Sequence, residues 1–338
     1  SATVSGDSFN VGGSGSTVPA GESITTWTIQ PAAGLTAGTH TGTVTVTYDN
    51  GATATAEVSF VVNRQSSGGG SITYPPTLPT TGNGDVTVSP ARPERGDTVT
   101  VTVEPDDRYK VEDVTVTDRN GDPVEVSLKN DGTYTFVQPA GKVEIEVTYA
   151  VDMPFTDVPK DAWYIDGAEY VYANYIMNGT GETTFGPNTT VSRGMIVQIL
   201  YNLVGNPDVE GDTDFTDVTD DYWSAKAIAW AVNNGVVNGF EDGTFRPDEN
   251  MTREQMAAIL QNFASQMGLD VSASGDLSNF TDIPEGEYWS RDALAWAYAE
   301  GLLAGTSDST MDPAGQASRA QIAVIMMRFC EQYEETAE

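Results

Sequence analysis

Along the first 150 residues, apolar and polar positions alternate with a period of two. Thr43-Val44-Thr45-Val46-Thr47-Tyr48 and Thr55-Ala56-Glu57-Val58-Ser59-Phe60-Val61-Val62 flank Asp49-Asn50-Gly51. Alternation around an Asn-Gly pair predicts a β-hairpin. With Trp27-Thr28-Ile29 ahead of it, residues 1–63 read as a β-module, short of the roughly 100 residues of a complete immunoglobulin-like sandwich. Residues 64–84 mix Gly/Ser flexibility with proline stiffness, in Ser66-Ser67-Gly68-Gly69-Gly70 and Pro75-Pro76, and predict a linker. Alternation returns over 85–150, around Val86-Thr87-Val88, residues 98–103, Val114-Thr115-Val116, Val124-Glu125-Val126, Tyr134-Thr135-Phe136 and residues 142–149. Turn signals separate these runs and predict a compact all-β module of six strands. No continuing strand is expected across residues 150–154.

From residue 152 the period changes and the chain begins to repeat itself. Phe155-Thr156-Asp157-Val158 returns as Phe215-Thr216-Asp217-Val218 and Phe280-Thr281-Asp282-Ile283. Trp163, Trp223 and Trp289 are each followed after 16 residues by Gly179, Gly239 and Gly305, after 24 by Pro187, Pro247 and Pro313, and after 30 by Arg193, Arg253 and Arg319. Three shared offsets in three copies define an internal repeat. Each copy ends in an apolar stripe at helical spacing: Ile196, Ile199, Leu200, Leu203; Met256, Ile259, Leu260, Phe263; Ile322, Ile325, Met326, Phe329. Such a face needs its sister copies to cover it. Thr252 with Gln255 and Ser318 with Gln321 predict capping boxes, whereas Ser192 is followed by Met195 and predicts a weaker cap. An earlier helix carries Tyr170, Trp230 or Trp296, so each repeat reads as helix, Gly-rich loop, helix.

Composition narrows the chemistry. Acidic residues outnumber basic ones by 49 to 16, for a formal charge of −33, and no stretch clusters Lys and Arg beside aromatics. That balance excludes a nucleic-acid partner. A single histidine, His40, and a single cysteine, Cys330, deprive the chain of the usual catalytic triads, zinc sites and internal disulfides. His40 opens a strand pattern, and Cys330 sits in an amphipathic helix where cysteine acts as a small hydrophobe. Gly181-Glu182 and Glu241-Asp242-Gly243 lack EF-hand spacing and read as turns. No catalytic residue, metal site or cofactor is expected, and no apolar run is long enough to span a membrane. The chain opens on Ser1-Ala2-Thr3 without initiator Met or signal peptide, and is expected to be a mature product or a piece of a longer protein.

The Phe-x-Asp-Val, Trp, Gly-rich loop and Thr-Arg-Ala-Glu pattern resembles the S-layer-homology repeat, in three copies at 152–207, 212–268 and 277–333. The last motif departs from the family as Ser192-Arg193-Gly194-Met195, Thr252-Arg253-Glu254-Gln255 and Ser318-Arg319-Ala320-Gln321, and Met311 stands where the other loops have Phe185 and Phe245. Copies one and three are therefore expected to have the altered grooves. Residues 1–63 resemble the end of a bacterial immunoglobulin-like repeat, and 85–150 resembles B-repeat-type surface modules, which are usually spacers.

The resemblance implies two small all-β domains followed by an α-rich spindle around a pseudo-threefold helix bundle. It further implies an extracellular bacterial protein that catalyses nothing and is anchored by a secondary cell-wall polysaccharide attached to peptidoglycan. The pyruvylated end of that polymer would sit in grooves between lobes. The alternatives are a structural S-layer subunit, making lateral contacts, and the anchor of an adhesin or exo-enzyme whose active region precedes Ser1.

Residues implicated by motif match are Asp157, Trp163, Gly179 and Arg193, with their counterparts Asp217, Trp223, Gly239, Arg253 and Asp282, Trp289, Gly305, Arg319. Arginine suits a pyruvyl carboxylate through two parallel charge-assisted bonds, tryptophan offers a face to a sugar ring, Asp accepts from hydroxyls, and glycine lets the backbone approach. Other readings stay open: the tryptophans as core, the glycines as positive-φ turns, the aspartates as helix caps. Residues 152–338 hold 8 basic and 31 acidic side chains, a net of −23, so an anionic ligand would need contact chemistry to overcome a repulsion that salt damps beyond about 8 Å.

Overall fold

A computed structural model of the protein describes residues 2–5, 9–12, 28–33, 35–47, 51–62, 72–209, 213–284 and 286–334. Trp27, Gly34, Tyr48, Asp49 and Asn50, and residues 64–71 of the expected linker, lie outside them.

The alternating segments form strands as the pattern requires. In the first module β1 (Ala2–Val4), β4 (Gly38–Thr47) and β5 (Thr53–Val62) make one antiparallel sheet in the order β1-β4-β5, while β2 (Phe9–Gly12) pairs with β3 (Thr28–Pro31). Register is set by pairs such as Val44 with Ala56 and His40 with Phe60. Its core is thin: Phe9 and Val44 are buried, and Phe9 meets Phe60 edge-on at 6.5 Å. His40 lies in β4 with Nε2 2.8 Å from the Thr36 carbonyl.

The second module contains the six expected strands: β6 (Gly84–Ser89), β7 (Thr98–Pro105), β8 (Tyr109–Asp118), β9 (Val126–Leu128), β10 (Tyr134–Val137) and β11 (Val143–Val151). A sheet in the order β6-β7-β10-β9 packs on the β11-β8 pair. Val99, Val101, Val114, Val116, Phe136, Val143 and Ile145 are sealed between them.

One boundary expectation needs correction. Residues 72–84 are not a free linker: Leu78 packs on this core, the Thr77 amide donates to Val143 O at 2.8 Å, and Ile145 N donates back to Thr77 O at 3.0 Å. β11 ends at Val151 opposite Tyr109, so no strand crosses residues 150–154, and Asp152 N donates to Arg108 O just beyond it.

Each repeat supplies two helices: α1 (Ile165–Ala173) and α2 (Arg193–Leu203), α3 (Ala225–Asn233) and α4 (Arg253–Gln266), α5 (Arg291–Ala299) and α6 (Arg319–Glu334). The apolar stripes of α2, α4 and α6 converge in one core, where Phe263 meets Phe329 at 5.7 Å and Trp230 bridges Tyr201 and Phe263. Cys330 is buried in that core. The caps follow the sequence: Thr252 forms a full capping box with Gln255, Ser318 and Gln321 exchange both bonds, and Ser192 only accepts from Met195 N.

A closed ring of backbone bonds locks the threefold: Val191 N donates to Ala317 O, Ala317 N to Met251 O, and Met251 N to Val191 O. The first amides of each second helix, ordinarily orphans, are satisfied by the next copy. Arg193 and Gly194 donate to Glu249 O and Pro247 O, Arg253 and Glu254 to Gly315 O and Pro313 O, and Arg319 and Ala320 to Thr189 O and Pro187 O. Closing the circle therefore needs all three repeats.

Candidate functional site

The Phe-Thr-Asp motif shapes the loop between the two helices of its own repeat. Asp157 accepts from the amides of Phe185 and Gly186 at 2.7 and 2.8 Å, Asp217 from Phe245 and Arg246 at 2.8 and 2.7 Å, and Asp282 from Met311 and Asp312 at 2.9 and 2.6 Å. Each carboxylate staples two successive amides about 28 residues away, a role other than the helix cap left open from sequence. Burial alone would raise Asp282, but the two amides outweigh it and hold its carboxyl below the ordinary value.

Gly179, Gly239 and Gly305 are not positive-φ turns; they are absent from the left-handed region that other glycines of the chain occupy. The reason for glycine is close packing against the phenylalanine of the same motif and, at 179 and 305, against backbone oxygens of the loop as well. A Cβ would stand 2.5 Å from the Phe155 ring at 179, 2.0 Å from Phe215 at 239 and 2.6 Å from Phe280 at 305.

The arginines sit at the first position of α2, α4 and α6, where their charge opposes the helix dipole. They are buried, with 9%, 6% and 6% exposure for Arg193, Arg253 and Arg319. Each reaches into the next repeat's loop. Arg193 Nε and Nη2 donate to Phe245 O and Asn238 O at 3.0 and 3.1 Å. Arg253 does the same to Met311 O and Ala304 O at 3.0 and 2.6 Å, and Arg319 to Phe185 O and Asn178 O at 2.9 and 2.5 Å. Arg193 also faces the Phe240 and Phe245 rings, and Arg319 the Phe185 ring. Burial pushes all three guanidinium groups down, Arg319 to about 10; Arg319 therefore stays charged at neutral pH. The extra reason for a cation at this position is thus a clamp between repeats.

The tryptophans are surface residues, with Trp163, Trp223 and Trp289 exposed by 68%, 54% and 61%, so the core alternative does not apply to them. Trp223 and Trp289 complete clefts to which three repeats contribute. Beside the first repeat's loop, Asn178 and Gly179, Gln198 and Asn202 of α2, Trp223 of the second repeat and Arg319 of the third line a cleft of about 150 Å³. The equivalent cleft of about 220 Å³ is lined by Asn238, Phe240, Gln255 and Asn262 of the second repeat, with Arg193 of the first and Trp289 of the third. The motif residues thus meet across copies, never as the set belonging to one copy.

The groove amides were missed from sequence. Asn202 and Asn262 both stand nine residues after the clamp arginine, and each donates to the neighbouring loop, at Ile176 O and Val236 O. The third copy differs at the same register, with Ala304 for the loop asparagine and Arg328 for the helix one, whose guanidinium donates to Gly301 O at 3.1 Å.

A family model, the S-layer homology domain, matches residues 154–194, 214–257 and 279–323. The C-terminal half of this protein is a set of three S-layer homology repeats. Curated relatives carry the same kind of segment. A surface-layer 125 kDa protein of Lysinibacillus sphaericus is 30% identical over 164 residues, 48% of this chain and 13% of that protein. An endoglucanase of Bacillus sp. (strain KSM-635) is 30% identical over 173 residues, 51% of this chain and 18% of the enzyme. A cellulosome-anchoring protein of Acetivibrio thermocellus is 24% identical over 184 residues, 53% and 39% of the two chains. The chain spans less than a fifth of the length of the first two, so the likeness is that of a shared module. S-layer homology repeats place the chain at the bacterial cell surface. No helix among the described residues is long and apolar enough to cross a membrane.

Proposed function

We propose that this chain anchors a bacterial surface protein to the cell wall without catalysis, by holding the anionic end of a secondary wall polysaccharide in the clefts between its S-layer homology repeats. The observation that carries this reading is the exposure of Trp223 and Trp289 beside a buried, charged arginine and paired amides. A large aromatic left in solvent beside hydrogen-bonding groups suits a sugar ring with one apolar face and a polar rim. Clefts of about 220 and 150 Å³ fall below the roughly 300 Å³ at which drug-sized pockets begin, so each suits one terminal ring. Trp223 and Trp289 are the stacking platforms and Arg319 and Arg193 the cations at the cleft wall. Asp157, Asp217, Asp282, Gly179, Gly239 and Gly305 set the loop shape. Trp163 and Arg253 belong to the third set, where Arg328 alters the chemistry.

Retention of the full chain on purified wall, before and after stripping the secondary polymer, tests the reading. Trp223→Ala and Trp289→Ala together should lower retention about tenfold, roughly 1.4 kcal/mol, with an unchanged unfolding curve. Equal retention on stripped and intact wall would refute it.

A further inference from the structure

The tip between β7 and β8 is pressed against the first repeat. Its Asp106-Asp107-Arg108 turn puts the Arg108 guanidinium 4.3 Å from the Tyr172 ring centre and 3.7 Å from that of Tyr175. The same group donates to Tyr172 O and, at 3.0 Å, to Asn178 Oδ1. The Tyr175 hydroxyl donates to Asp107, and Lys110 pairs with Asp152 at 2.8 Å.

Two strained residues face each other in this contact. Arg108 has φ 69° and Tyr175 φ 59°, a region that side chains other than glycine avoid. Tyr175 stands 12 residues after Trp163, and the same offset in the other repeats gives Gly235 and Gly301, with φ 68° and 66°. The repeat thus calls for a left-handed glycine after its first helix. Only the copy that touches the β-module replaces it with tyrosine, and strain kept at one copy calls for a role there. The contact leads into the first cleft: Asn178, held by Arg108, passes its own carbonyl to Arg319 and lines the cleft with Gly179 and Trp223.

We propose that the Asp106-Asp107-Arg108 turn is a positioning element of the first groove, so that the second β-module is part of the anchoring unit and not a spacer. Its binding consequence rests on the wall-polysaccharide reading above. The test uses the full chain in a Trp289→Ala background, which silences the second groove. Arg108→Asn suits the left-handed turn while removing the guanidinium, and Tyr175→Gly installs the residue the other repeats use. Both should speed amide exchange in residues 174–186 about tenfold, leave 234–246 unchanged, and weaken binding to purified wall polysaccharide roughly three- to tenfold. Arg108→Lys, a point charge without the fork, should fall between. Unchanged exchange in 174–186, or raised exchange with unchanged affinity, overturns the proposal. So does loss of all binding in the Trp289→Ala background while the native chain binds, since the first groove would then be idle. No binding by the native chain defeats the wall reading, and the exchange measurement alone then decides whether the turn positions the loop.

Discussion

Replacing Arg319 by alanine separates a clamp from a ligand contact, because a clamp matters when no polysaccharide is present. The side chain makes two charge-assisted bonds to carbonyls of the first repeat, each worth about 1.5–3 kcal/mol. Truncation loses both and leaves Phe185 O and Asn178 O without that donor. Against this, burying the guanidinium is costly, as its depression to about 10 indicates, and truncation returns that cost. The net expectation is a loss of about 2–4 kcal/mol, a large part of the 5–15 kcal/mol that domains possess. With a urea slope near 2 kcal/mol per molar, the unfolding midpoint should fall by about 1–2 M. Tryptophan emission of the full chain in urea, without glycan, reads the transition. Arg319→Lys keeps the charge but reaches one carbonyl at a time and should lose about half as much. The same order should hold for Arg193 and Arg253, whose bonds are equivalent. Midpoints within a few tenths of a molar of the native chain for all three alanine variants would refute the clamp.

Gly239→Ala drives a methyl group to 2.0 Å from the Phe215 ring and should destabilise by about 1–3 kcal/mol, read by the same titration; a neutral result would mean that the loop yields freely. Deleting residues 276–338 removes the acceptors of the Arg253 and Glu254 amides and the Arg319 clamp on the first loop, and should cost both cooperative unfolding, followed by circular dichroism, and wall retention. Asp282 has a folded pKa held below its unfolded one by two amides, so the unfolded chain binds more protons between those values. Its contribution is complete above about pH 4 and fades as pH falls through the folded value. Asp282→Asn should flatten acid unfolding below about pH 4, measured by tryptophan emission.

Alternation, turn pairs and the helical stripe are local signals, which is why six strands of the second module, three repeats and even the relative strength of the caps were readable from residues a few positions apart. What escaped was decided at long range. Arg193 finds its acceptors 45 and 52 residues away and Arg319 finds its own 134 and 141 residues away. A motif read within one copy therefore does not show which other copy supplies each partner. Glycine suggested a turn because conformational freedom is its familiar use, whereas here the missing Cβ makes room for an aromatic ring of the same repeat. The Pro75-Pro76 segment looked like a breaker, yet Thr77 between proline and Leu78 both donates to and accepts from β11. The signal at Tyr175 was present and unread: comparing each repeat with its sisters, and not with the family, exposes the one copy that gives up a left-handed glycine. Departure from an internal pattern costs strain locally, so the gain must be sought in a neighbour outside the repeat, and Arg108 is that neighbour.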